Sequence, residues 1–200
     1  IFSFHMPLFF ILSGFLYKQR SFFDTLKRNF HSLLVPYFIM NVSLFLLDSI
    51  IKIFIGTMTF QEILSNWGAI LLGLGYNTEH FIPVSTPLWF LYALFIIQTI
   101  ISLGKTKIVR YSIMFLAIGG FIFLNKRNID TLVPIDSAML ALPFFIFGFE
   151  FKKIIRKQYS IYLLPILLLL LILINYYNGR VDINTCKYGN SLLLAYLGGI

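Results

Sequence analysis

Between Ile161 and Tyr177 the chain runs for 17 residues without a charged side chain. That stretch limits what the molecule can fold into. A helix on the surface of a soluble domain sets an apolar stripe against a polar face, and this one has almost nothing polar to show to water. Similar runs recur along the sequence, separated by short clusters of Lys and Arg. The 200-residue chain is 58% hydrophobic and 12% charged, with a mean hydropathy of +0.85. That charged share is about half of what a soluble domain carries. The pattern predicts an all-α fold, a polytopic transmembrane helical bundle in a lipid bilayer.

A net charge of +8 in a soluble protein would point to nucleic acid. Here the basic residues sit between apolar runs, as in the cytoplasmic loops of membrane proteins, so no nucleic-acid partner is expected. The single cysteine, Cys186, has no partner for an internal disulfide. His5, His31 and His80 are scattered, and the spacing of a metal site is absent. The chain begins at Ile1 rather than Met and stops at Gly198-Gly199-Ile200 in an apolar run. It therefore reads as one membrane domain over 1–200, incomplete at both ends.

The apolar runs predict about six spanning helices and a truncated seventh. The first reaches Tyr17 and ends in Lys18-Gln19-Arg20; a loop with Asp24, Lys27 and Arg28 follows. The second runs from about Ser32 to Ile55, with Pro36 in its first turns. Residues 63–75 are apolar but too short to span, which suits a re-entrant or interfacial segment. The third runs from about Pro87 to Leu103, the fourth from Ile108 to Leu124, and the fifth from Asp136 to Phe151. The sixth covers about Ser160 to Tyr177, and the seventh starts near Tyr188. With the 18–28 loop inside, alternate loops hold 11 of the 16 basic residues on the cytoplasmic side, in keeping with the positive-inside rule.

Several polar groups fall at membrane depth. His5 lies 13 residues before Lys18, or ~20 Å from the basic edge. Pro7 beside it loosens the backbone hydrogen bonding. An imidazole there serves either as a general base or proton relay opening to the outer face, or as a structural histidine bonded to a neighbouring helix. Lys27 and Arg28 mark the cytoplasmic side, where they read as topology signals or as a dock for a coenzyme phosphate. His80, Trp89 and Tyr92 mark the outer start of the third helix, as interfacial anchors or as rings that stack on a sugar. Asp48 and Lys52 can pair across one turn. Asn41 and Gln98 suit hydrogen bonds between helices, and Glu150 reads as a boundary residue beside Lys152 and Lys153.

The run FHMPLFFILSGFLY, from Phe4 to Tyr17, closely resembles a membrane-helix signature of the acyltransferase-3 family. It is most similar to the branch of fucose-4-O-acetylase-like and polysaccharide O-acetyltransferases. Lys27-Arg28 followed by Ser32-Leu33-Leu34-Val35-Pro36-Tyr37-Phe38 resembles that branch's next loop and helix. Pro87-Leu88-Trp89-Phe90-Leu91 is similar to its PLWFL motif, and Asp136 to Gly148, Asn178 to Asp182 and Tyr188 to Asn190 also look like it. In the other large branch a Glu pair follows the Trp motif; Leu94 and Phe95 stand there in this chain, so no acid is carried over.

The resemblance implies a membrane-bound O-acyltransferase of a bacterial-type inner membrane. Such an enzyme moves an acyl group, usually acetyl, from acetyl-CoA to a hydroxyl of a cell-surface glycan. Acetyl-CoA is then a substrate, with no bound cofactor. The family has a further helix before residue 1 that carries another histidine. By this analogy His5 is the catalytic candidate, Lys27 and Arg28 the donor-binding ones, and Trp89 the acceptor-binding one. The reading from another class is a polysaccharide exporter or other transporter component on a related scaffold, which would move glycan without consuming acetyl-CoA.

Overall fold

The computed structural model describes residues 2–56, 88–127, 134–154, 173, 174, 176–179, 181, 183 and 186–199. Every regular element among them is a helix. In order these are α1 (Phe2–Leu16), α2 (Phe22–Asn29), a π-helical turn (Phe30–Leu34), α3 (Val35–Ile55), α4 (Trp89–Leu103), α5 (Lys107–Lys126), α6 (Ile135–Ile154) and α7 (Leu192–Gly199). The predicted re-entrant stretch at 63–75 and most of the sixth predicted helix lie outside the described residues.

Two of the helical stretches are long and apolar enough to cross a membrane, Phe22–Ile55 and Lys107–Lys126. In the most apolar window of each, only 17% of residues are buried. The core helix of a soluble protein would instead be mostly covered. Their outward side chains are large and apolar, with Phe54 88%, Leu116 75% and Phe115 68% exposed. Such a surface is stable against acyl chains and not against water. The polar limits of the first span lie at Arg28 and Asp48. The 19 residues between them carry no Asp, Glu, Lys or Arg and rise ~28 Å, close to a hydrocarbon core of ~30 Å. At the far limit Asp48 and Lys52 pair as expected, with Nζ 2.7 Å from Oδ2.

The chain forms two compact units. The first contains Ile1–Gln19, Lys105–Ile122 and Met139–Ile200. In it α1 runs unbroken through Pro7 and meets α6 at a reciprocal close approach. A Cβ on Gly14 would collide with the carbonyl of Phe145, and one on Gly148 with the carbonyl of Ile11. Only glycine lets two backbones touch in this way. The Tyr17 ring then packs edge-on to Phe145 and Phe149, with centroids 5.5 and 5.8 Å away. The α1 helix also contacts α7.

Glu150 departs from its reading as a boundary residue. Its Oε1 accepts from Arg110 Nη2 at 2.7 Å and from Nε at 3.2 Å. Arg110, inside the fourth predicted helix, lies in the first turn of α5 and is 4% exposed. Its Nη1 donates to the Lys105 carbonyl at 3.3 Å, and its guanidinium lies 5.1 Å from the Phe149 ring centroid. The two charges are 40 residues apart, a separation that no local pattern reveals.

The last helix starts at Leu192, later than the expected Tyr188, because Asn178 ties up the residues before it. The Asn178 side chain, 1% exposed, donates to the Tyr188 carbonyl and accepts from the Ser191 N–H, both at 2.9 Å. Its own carbonyl accepts from the Asn190 N–H at 2.9 Å. Asn178→Ala removes both bonds from the half-buried Tyr188 and Ser191, and is expected to cost about 1–2 kcal/mol. Faster proteolysis between Ile183 and Asn190 would report it; an unchanged cleavage rate would contradict it.

Candidate functional site

The second unit, Arg20–Gly104 with Phe123–Ala138, holds Lys27 and Arg28. The sequence places them in a loop, but they stand on helix α2. Ser21 starts that helix in an extended conformation, and its Oγ accepts the Asp24 N–H at 3.3 Å. The Ser21 hydroxyl donates to Asp24 Oδ2 at 2.6 Å, and the Thr25 hydroxyl donates to the Ser21 carbonyl at 2.8 Å. These bonds satisfy the open end of the helix, and an acid in the first turn suits its dipole.

The α2 helix has three faces. Thr25 and Asn29 are buried, and α4 packs on α2 and on the π-turn. Phe23, 78% exposed, and Phe30, 47% exposed, form an outward aromatic flank seven residues apart. Between these faces Arg20, Asp24, Lys27, Arg28, His31 and Ser32 line an open groove of about 730 Å³. Three cations there face one carboxylate, which already caps the helix through Ser21. His31 Nδ1 donates to the Lys27 carbonyl at 2.9 Å, so Nε2 is the ring nitrogen left to meet a ligand.

The π-turn brings His31 and Ser32 to the groove. The Val35 N–H bonds the Phe30 carbonyl five residues back. Pro36 has no N–H, and in a plain α-helix its ring would crowd the Ser32 carbonyl. One widened turn relieves the clash without ending the helix, and such turns recur at functional sites. Asn29, 5% exposed at this junction, has an Nδ2 with no hydrogen-bond partner among the described residues.

Of the expected site residues, the structure brings Lys27 and Arg28 together. His5 lies on α1 in the other unit, and its side chain is outside the described residues. Trp89 opens α4 and is 2% exposed, so its ring is packed inside rather than presented at a surface. Nearby, Tyr37 and Tyr92 meet edge-on with centroids 5.5 Å apart. Asn41 donates to the Tyr37 carbonyl in its own helix at 3.0 Å rather than to another helix. Sequence reasoning missed Arg20, His31 and Ser32. Part of the signal was there: positions 24, 27, 28 and 31 repeat at three and four residues, which puts them on one face once the segment is read as a helix, whereas Arg20 lies ahead of the Ser21 cap and reaches the groove from outside the helix. Among the described residues no group of His, Cys, Asp or Glu could hold a metal ion.

The model of the acyltransferase-3 family, described as an acyltransferase domain, matches residues 1–200. No curated protein and no solved structure matches the chain.

Proposed function

Because the chain belongs to the acyltransferase-3 family, we propose that it transfers acetyl from acetyl-CoA to a hydroxyl of a cell-surface glycan. The branch is the one of fucose-4-O-acetylase-like and polysaccharide O-acetyltransferases, and the site of action is a bacterial-type inner membrane crossed several times. The groove on α2 carries this reading. Arg20, Lys27 and Arg28 converge there on an open surface at the foot of a spanning helix, and the phosphates of coenzyme A need such a cationic seat. A guanidinium offers two parallel N–H donors to a phosphate.

In this reading the donor phosphates dock on the cytoplasmic side, and the thioester extends towards the membrane interior. The acceptor hydroxyl gives its proton to the His5 imidazole as its oxygen attacks the thioester carbonyl. A C–O bond forms and the C–S bond breaks. The coenzyme A thiolate leaves and takes up a proton. Trp89, 2% exposed at the head of α4, is the residue we propose for acceptor binding.

The test uses the intact protein in proteoliposomes. Arg28→Gln removes a charge-assisted contact worth about 1.5 kcal/mol, so the KM for acetyl-CoA should rise about tenfold. The kcat should stay within about twofold, since uniform binding is lost and not transition-state stabilisation. An unchanged KM in the Lys27→Gln/Arg28→Gln double variant would refute the donor placement.

A further inference from the structure

The basic groove opens onto the outward side of its own helix. Arg28, Ser32, Pro36, Met40, Ser43, Leu47, Ile50 and Phe54 follow one another at intervals of three or four residues, and all are exposed. They form one continuous strip from the groove to the far end of α3. The strip is cationic and hydroxyl-bearing at its foot and mainly apolar above Ser32. Phe23 and Phe30 flank the foot with exposed rings, as aromatic side chains do at the level of lipid headgroups. From Arg28 to Leu47 the strip rises ~28 Å, close to the depth of a hydrocarbon core.

We propose that this strip is a binding site for one anionic phospholipid of the leaflet on the basic side. Its phosphodiester sits in the groove against Arg20, Lys27 and Arg28, and its acyl chains lie along Met40, Leu47 and Ile50. Charge complementarity selects the headgroup: three cations against one carboxylate favour a lipid with net negative charge over a zwitterionic one. The lipid assignment stands without the donor reading. Only its consequence rests on that reading: lipid phosphate and donor phosphates compete for Lys27 and Arg28, so an anionic leaflet raises the apparent KM for the donor.

The experiment is native mass spectrometry of the intact protein, released from nanodiscs holding equal amounts of phosphatidylglycerol and phosphatidylcholine. Phosphatidylglycerol should be retained over phosphatidylcholine. The preference should fall about fivefold on Arg28→Gln and about thirtyfold on Lys27→Gln/Arg28→Gln. Lys126→Gln, exposed at the other end of α5, should leave it unchanged. Equal retention of both lipids by the wild type, or a preference indifferent to the double variant, would overturn the proposal. Coenzyme A added to nanodiscs of phosphatidylcholine alone separates the two readings. If it fails to bind while phosphatidylglycerol is still selected, the donor reading falls and the lipid site stands. If it binds while lipid selection is absent, the lipid site falls alone.

Discussion

Glu150→Ala is expected to lower the stability of the protein by about 3–5 kcal/mol, the usual loss when one partner of a buried ion pair is removed. Arg110 is 4% exposed, and its guanidinium cannot shed its proton to escape the low-dielectric surroundings. Without Glu150 the charge loses its carboxylate partner, and the Lys105 carbonyl and the face of Phe149 do not neutralise it. A neutral amide still accepts a hydrogen bond, so Glu150→Gln should cost less. Replacing both partners with apolar residues, as in Arg110→Met/Glu150→Leu, should restore most of the loss, because no buried charge is left behind. Thermal unfolding of the detergent-solubilised protein would show this order. Equal midpoints for Glu150→Ala and wild type would mean that the pair contributes nothing.

The second large effect falls on the crossing of α1 and α6. A methyl group on Gly14 would stand 2.9 Å from the Phe145 carbonyl carbon and 3.1 Å from the Phe149 nitrogen, and closer still to the Phe145 oxygen. These are backbone atoms with no rotamer to yield. The two helices must separate, Tyr17 must leave its rings, and the cost should reach about 3 kcal/mol, the upper range of overpacking. Gly148→Ala should act alike through Ile11. Gly119→Ala is the control: a Cβ there meets nothing within 4 Å, and alanine in a helix interior gains about 0.5–1 kcal/mol over glycine. The folded yield of Gly14→Ala should drop sharply while that of Gly119→Ala holds. Equal yields would mean that the helices cross elsewhere.

The legible part of this fold was the part written in hydropathy. Apolar runs bounded by Lys and Arg gave α1, α3, α4 and α5 nearly their true limits, and the i,i+4 pair of Asp48 and Lys52 followed from spacing alone. What escaped depends on contacts between distant residues. Nothing around Glu150 points to Arg110, and nothing around Tyr188 reveals that Asn178 holds its carbonyl. The groove was half legible. Lys27 and Arg28 stood out as charges, but Phe22-Phe23-Asp24-Thr25 reads as a connection unless Ser21 is recognised as a cap. Once that helix is drawn, His31 falls on the same side as Lys27 and Arg28, whereas Arg20 precedes the cap and no helical spacing places it. Trp89 shows the opposite difficulty: an aromatic at the start of an apolar helix suggests an interfacial ring, whereas Trp89 is 2% exposed.

Under the proposed function the acyl donor is recognised on the basic face of α2 and its acyl group is used at the other side of the membrane. The direct measurement is a sided transfer assay: intact protein in proteoliposomes of known orientation, labelled acetyl-CoA supplied to one face, and glycan acceptor held at the other. Label should reach the glycan only when acetyl-CoA is on the face that carries Lys27 and Arg28, and His5→Ala should abolish transfer at normal protein abundance. Equal labelling from either face, or wild-type labelling by His5→Ala, would contradict the account.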